Sequence, residues 1–178
     1  MSRKGRTSSM FQINDYVFYE SGGICKIADI QYAPLESMPS DRQYYIMQSL
    51  HDPNGVIYIP IDSDRIFIRR LLDRKEAEEL LAAITSIGVI EETNAKLLRA
   101  KYIEAMKTHD PREWVRVIKT VYSRATAPSN SRTVRLSETE RSFAENAKRY
   151  LYTELALALG KEAREMESYI TSYIQKAE

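Results

Sequence analysis

The sequence predicts an α+β protein in two parts, a small antiparallel β-module followed by an all-helical module of about five helices. Three observations carry this prediction. Up to position 68, short apolar runs alternate with glycine, proline and Asn-Gly turn signals. After Arg70 the apolar residues recur at helical rather than strand spacing. Helix start and stop signals then follow one another to the end of the chain. The expected division is a disordered stretch at 1–9, a β-domain at 10–70 and a helical domain at 71–178.

Residues 1–9 are basic, polar and without pattern, so the folded sequence is expected to begin at Met10 or Phe11. Tyr16-Val-Phe-Tyr19 is a short aromatic run after the turn-prone Asn14-Asp15. Gly22-Gly23 breaks the chain before a second strand over 24–30. Residues 34–40 hold two prolines and form a loop. A third strand over 42–50 ends at His51-Asp-Pro-Asn-Gly55, a strong turn signal, and Val56-Ile-Tyr-Ile-Pro60 completes a hairpin. Four or five such strands with tight turns imply a small curled sheet or open barrel.

Asp73 caps a first helix through Ala83, with Leu80, Leu81 and Ile84 on one face. Ile87-Gly-Val-Ile90 breaks it. Thr93 or Asn94 caps a second helix in which Leu97, Leu98, Tyr102, Ile103 and Met106 fall at helical spacing. Asp110-Pro111 opens a third, through Arg124, as an N-cap followed by proline at the first helical position. Residues 125–134 form a flexible linker. The stretch 136–160 is the most informative in the chain: Ser137 and Glu140 make a capping box, and Gly160 terminates the helix. A fifth helix runs from about Lys161 to Gln175.

Lys and Arg total 26 against 25 Asp and Glu, so overall charge selects no partner. Its distribution is uneven. Residues 11–70 carry 5 basic and 8 acidic side chains, whereas 112–149 carry 9 and 4. A solvated helix face explains such a surplus by default, and contact with nucleic acid is the alternative. The single Cys25 excludes an intrachain disulfide; beside Ile24 and Ile27 it reads as a buried structural thiol in a reducing cytoplasm. No apolar run approaches membrane-spanning length, and the N-terminus lacks a signal-peptide core.

Catalytic chemistry finds no support. His51 and His109 stand apart, without a second ligand at zinc spacing, and no nucleophile elbow, P-loop or dinucleotide fingerprint occurs. No cofactor or metal is expected. Asp62 and Asp64 serve a turn at the exit of the sheet rather than an acid–base pair. Trp114 is followed by Val117, Ile118 and Val121 at helical spacing, which favours a core anchor over base stacking. Phe143, between Arg141 and Lys148, fits either the core or a cationic groove meeting DNA backbone. Tyr44, Tyr45 and Tyr58 alternate with aliphatics, so about half face outward, offering either ordinary cross-strand pairing or an edge for strand addition.

With these pieces in order, the chain from Met10 to the last helix resembles the CarD/CdnL family of bacterial transcription regulators. Met10-Phe-Gln-Ile-Asn-Asp-Tyr-Val-Phe-Tyr19 is similar to the family's opening strand, and Gly23 to its glycine after the tyrosine. Val56-Ile-Tyr-Ile-Pro60 resembles its strand ending in proline, and Leu136-Ser137 with Glu154-Leu-Ala-Leu-Ala-Leu-Gly160 its most recognisable helix.

The resemblance implies that the β-module is Tudor-like and docks on the β subunit of bacterial RNA polymerase through an exposed strand. The corresponding positions are Ile57, Tyr58, Ile59 and Pro60, with Met47 and Gln48 on the neighbouring strand. Tyr58 stands where the family often has a basic side chain. The helical module is implied to touch promoter DNA weakly and without sequence preference, near the upstream edge of the transcription bubble. Arg99, Lys101, Arg141, Lys148 and Arg149 are the candidate phosphate contacts, and Phe143 the apolar one. Ala95 follows Thr93-Asn94 where the family commonly places a wedging tryptophan; an alanine cannot enter a base step. The expected protein is therefore a non-catalytic, cytoplasmic, monomeric transcription regulator. The alternative is an adaptor that binds the polymerase, or another strand-edge partner, without touching DNA.

Overall fold

The computed structural model describes residues 11–126 and 136–177. The expected disordered stretch 1–9 and the expected linker from 127 onward lie outside the described residues, while Ala125 itself closes a helix. The chain divides into two compact units between Leu71 and Leu72.

The first unit is a five-stranded antiparallel sheet of β1 (Tyr16–Tyr19), β2 (Gly23–Tyr32), β3 (Gln43–Ser49), β4 (Val56–Pro60) and β5 (Ile68–Arg70), in the order β4-β3-β2-β1-β5. Period-two alternation sends Val17, Cys25, Ile27, Tyr45, Met47 and Ile59 to one face, where they form the core. The sheet curls around that core. A bulge between Ile27 and Asp29 shifts the β2–β3 register, and Ile57 reaches far enough that a Cβ on Gly22 would meet its Cδ1 at 2.8 Å. Gly23 takes the left-handed conformation at the β1–β2 turn, with φ of 70°. Phe11 closes one end, its amide donating to the Tyr45 hydroxyl at 3.1 Å. Burial pushes the Cys25 thiol up to about 11, so it stays protonated at neutral pH, as the expected structural role requires. Arg42 grips Asp62 at 2.9 Å, tying the start of β3 to the turn after β4.

The second unit comprises α1 (Arg74–Ala83), α2 (Ala95–Lys107), α3 (Pro111–Ala125), α4 (Glu138–Leu159) and α5 (Met166–Ala177), the last preceded by a 3-10 turn at Ala163–Glu165. The caps fall where the sequence placed them. Asp73 and Ser137 each form a capping box, and Asn94 accepts from the amides of Lys96 and Leu97. Asp110 caps the helix that begins at Pro111, and Gly160 ends α4 with φ of 66°. The antiparallel sheet followed by five helices is the α+β arrangement the sequence predicts.

Two side chains that periodicity alone does not explain hold this unit together. Lys119 on α3 reaches the C-terminal end of α1 and donates to the carbonyls of Ile84 at 2.8 Å, Thr85 at 3.2 Å and Ile87. Helix α1 has no basic residue in its last turn, and Lys119 supplies the missing cation from a neighbour. Glu154 is fully buried and accepts the Leu72 amide at 2.8 Å, fixing the chain at the start of the unit.

Glu140 joins α3 to α4 across the undescribed segment. Its carboxylate accepts from the Ser137 amide and hydroxyl at 2.9 Å and from Arg124 Nε at 2.8 Å. Burial alone would raise its pKa, but these hydrogen bonds outweigh burial and hold the carboxyl below the usual glutamate range. A depressed folded value means the contribution is complete above the unfolded value, about 4.3, and is lost as pH falls through the folded one. Glu140→Ala is expected to cost about 2 kcal/mol at neutral pH, measured by urea unfolding, with the difference from wild type shrinking below about pH 4.

Candidate protein and nucleic-acid interfaces

Strand β4 is a terminal strand of the sheet, hydrogen-bonded only to β3 among the described strands. Its register decides which groups it offers. The Ile61 amide donates to the Gln43 carbonyl at 3.0 Å. Bonded and non-bonded pairs alternate along an antiparallel ladder, so Ile59–Tyr45 and Ile57–Met47 are the bonded pairs. The amide and carbonyl of Tyr58 therefore point to the free edge. Pro60 also sits at an edge-facing position, where its missing N–H costs the ladder nothing.

The six β-module candidates separate by face. Met47 and Ile59 are buried in the core, so their side chains support the strand rather than present a surface. Ile57 is half-buried on the same side. Tyr58 and Pro60 face away from the core, and Gln48 is exposed, its amide donating to the Pro53 carbonyl. Val56, 54% exposed beside Tyr58, and the half-buried Ile46 opposite it belong to the same surface. Sequence reasoning passed over both: alternation from Tyr58 points to Val56, and the pairing register adds Ile46. Tyr44 and Tyr45 are both buried, leaving Tyr58 as the tyrosine of this hairpin that keeps an exposed flank.

On the helical unit the cations differ in availability. Lys101 is held by Glu92 at 3.1 Å and by the Glu91 carbonyl at 3.2 Å. Lys148 is held by Glu167 at 2.9 Å, a bond that raises its pKa. Arg149 donates to Asn146 at 3.0 Å and lies 5.3 Å from the Tyr150 ring centroid. Arg99 and Arg141 are exposed and make no side-chain ion pair among the described residues. Lys96, exposed in the first turn of α2, joins them as a cation that the sequence reading did not name.

Helix geometry also divides the α4 candidates. At about 100° per residue, Phe143 projects about 160° away from Arg141, whereas Lys148 lies within about 20° of Arg141. Phe143 is half-buried and packs on Tyr102 of α2 with ring centroids 5.5 Å apart. Arg99 lies one turn before Tyr102, so Phe143 and Arg99 border one seam. Arg141 and Lys148 instead face the groove between α3 and α4. The sequence-predicted cluster of Arg141, Phe143 and Lys148 is thus two surfaces. The one tryptophan, Trp114, is fully buried against Tyr150 at 5.5 Å and contributes to neither.

Ala95 is exposed at the first position of α2, directly after the Asn94 cap. Among the described residues no group of three His, Cys, Asp or Glu is placed to hold a metal ion, and no helix is long and apolar enough to cross a membrane.

Comparison with known families agrees with this division. Residues 11–72 match the CarD-like/TRCF RID domain, and residues 79–171 match the CarD C-terminal domain. No individual curated protein matches the chain at a significant level. Both units are thus assigned in the order in which they occur, and the chain belongs to the CarD-like family of RNA polymerase-interacting transcription regulators.

Proposed function

We propose that the chain is a non-catalytic regulator that tethers itself to the β subunit of bacterial RNA polymerase and rests its helical unit on promoter DNA. The tether is strand addition along β4. The observation that carries it is the edge itself, where Tyr58 turns its amide and carbonyl outward beside the exposed Val56. Main-chain pairing supplies affinity, and the Tyr58 ring and Pro60 supply shape. With tyrosine at position 58, aromatic contact replaces the ion pair that a basic residue would make.

The helical unit then leans on DNA phosphates through Arg99, Lys96 and Arg149, with Arg141 on a separate face. Tethering makes weak contacts sufficient, because docking on the polymerase raises the local concentration of DNA. Without a large apolar residue at position 95, the effect on the promoter complex comes from backbone contact rather than from wedging. Open-complex formation or lifetime is the quantity that changes, in the cytoplasm where the polymerase works.

The adaptor reading, with no DNA contact, draws support from Lys101 and Lys148, both of which already hold acidic partners. A titration against forked promoter DNA separates the two. About three phosphate contacts give a slope near −3 for log K against log salt, and Arg99→Ala removes about one unit of it. No detectable binding in low salt would leave the adaptor standing.

A further inference from the structure

We propose that the helical unit pairs with a second copy of this chain, α4 lying antiparallel to α4 about a two-fold axis at the level of position 143. A groove of about 800 Å³ runs beside α4, with walls from α3 and α5 and an apolar lining that includes Ile118, Val121, Leu151 and Ile170. Tyr122 stands 70% exposed on its rim. Val121 and Leu151 are buried and Ile118 and Ile170 half-buried, so the groove offers a partner chiefly its rim, the Tyr122 ring and the charges on α4.

The charges on the α4 rim identify the occupant. Glu138, Arg141, Glu145 and Lys148 all border the groove, within an arc of about 80° on the helix. Their signs alternate along about 15 Å of helix. An antiparallel two-fold places Glu138 opposite Lys148 of the second copy and Arg141 opposite its Glu145, and symmetry repeats both pairs. All four contacts are then attractive, whereas a parallel alignment in register would set like charges against each other. Self-complementarity of one patch is the requirement for a closed two-fold dimer.

These charges are also available. Glu138, Arg141 and Glu145 make no side-chain ion pair among the described residues. Lys148 holds Glu167, but an ammonium carries three donors and accommodates a second carboxylate. The pairing stands independently of the function proposed above. If that function also holds, pairing occupies Arg141 and Lys148 and withdraws them from DNA.

Sedimentation velocity on the full chain, from about 1 μM to about 1 mM, is expected to show dimer at the upper concentrations. Each of Arg141→Glu and Glu145→Arg creates two like-charge contacts by symmetry and is expected to weaken dimerisation at least about tenfold. The double variant R141E/E145R restores opposite signs and is expected to return within about threefold of wild type. Both positions are exposed, so in melts at the low, monomeric end of the range each variant is expected to stay within a few degrees of wild type. A chain that stays monomeric over the whole range, single variants without effect, or a double variant that fails to recover would each overturn the proposal.

Discussion

Trp114→Ala is expected to destabilise the helical unit by about 3–5 kcal/mol, the range for removing a large aromatic from a packed core. Trp114 has no exposed surface, and its ring lies against Tyr150 of α4. It sits on α3 among the buried Val115, Val117 and Val121, at the α3–α4 contact, the most extensive between the helices. Because it is the only tryptophan, its fluorescence reports the unfolding of this unit directly. Denaturant titration of wild type by that signal, and of the variant by far-ultraviolet circular dichroism, gives the comparison. A loss below about 1 kcal/mol would mean the indole is not the anchor described.

A second substitution separates binding from stability. Tyr58→Pro removes an amide that faces the free edge of β4, while the hydrogen bonds to β3 come from Ile57, Ile59 and Ile61. Proline is tolerated on such an edge. The sheet is therefore expected to lose about 1 kcal/mol or less, whereas strand addition by a partner loses both a main-chain donor and the Tyr58 ring. Binding to the polymerase β subunit is expected to fall at least about a hundredfold, read by titration of the labelled chain. Tyr58→Ala keeps the amide and isolates the ring, so its loss should be smaller.

Much of this architecture was legible in the sequence because local chemistry writes it there. Asp73, Asp110-Pro111, the Ser137–Glu140 box and Gly160 satisfy backbone groups within their own helices, so they need no knowledge of tertiary neighbours. The buried side of α2 was less legible. Leu97 and Ile103 share helical spacing with Leu98 and Tyr102, yet they are 53% and 37% exposed, and Ala105 takes the buried place. Two overlapping apolar stripes on one helix look alike until a neighbour chooses between them. Lys119 and Glu154 show the same limit, since their partners lie 35 and 82 residues away.

The sequence places the interface candidates on particular strands and helices, but not on particular faces of them. Alternation puts Ile59 on the face opposite Tyr58, but only the pairing register puts Met47, on the other strand of the hairpin, on that same inward face. Arg141 and Phe143 are two residues apart, a spacing that looks adjacent in sequence and becomes nearly opposite on a helix. Which cations are already held by carboxylates, as Lys101 and Lys148 are, depends on Glu92 and Glu167 in other segments.

The central claim is that β4 tethers the chain to the polymerase and that the tether lets the helical unit act on the promoter complex. The lifetime of open complexes formed by purified bacterial polymerase, followed by competitor challenge, tests it most directly. Wild-type chain is expected to change that lifetime, Arg99→Ala to reduce the change, and Tyr58→Pro to abolish it while remaining folded. An unchanged lifetime with wild type, or an equal effect from Tyr58→Pro, would contradict the account.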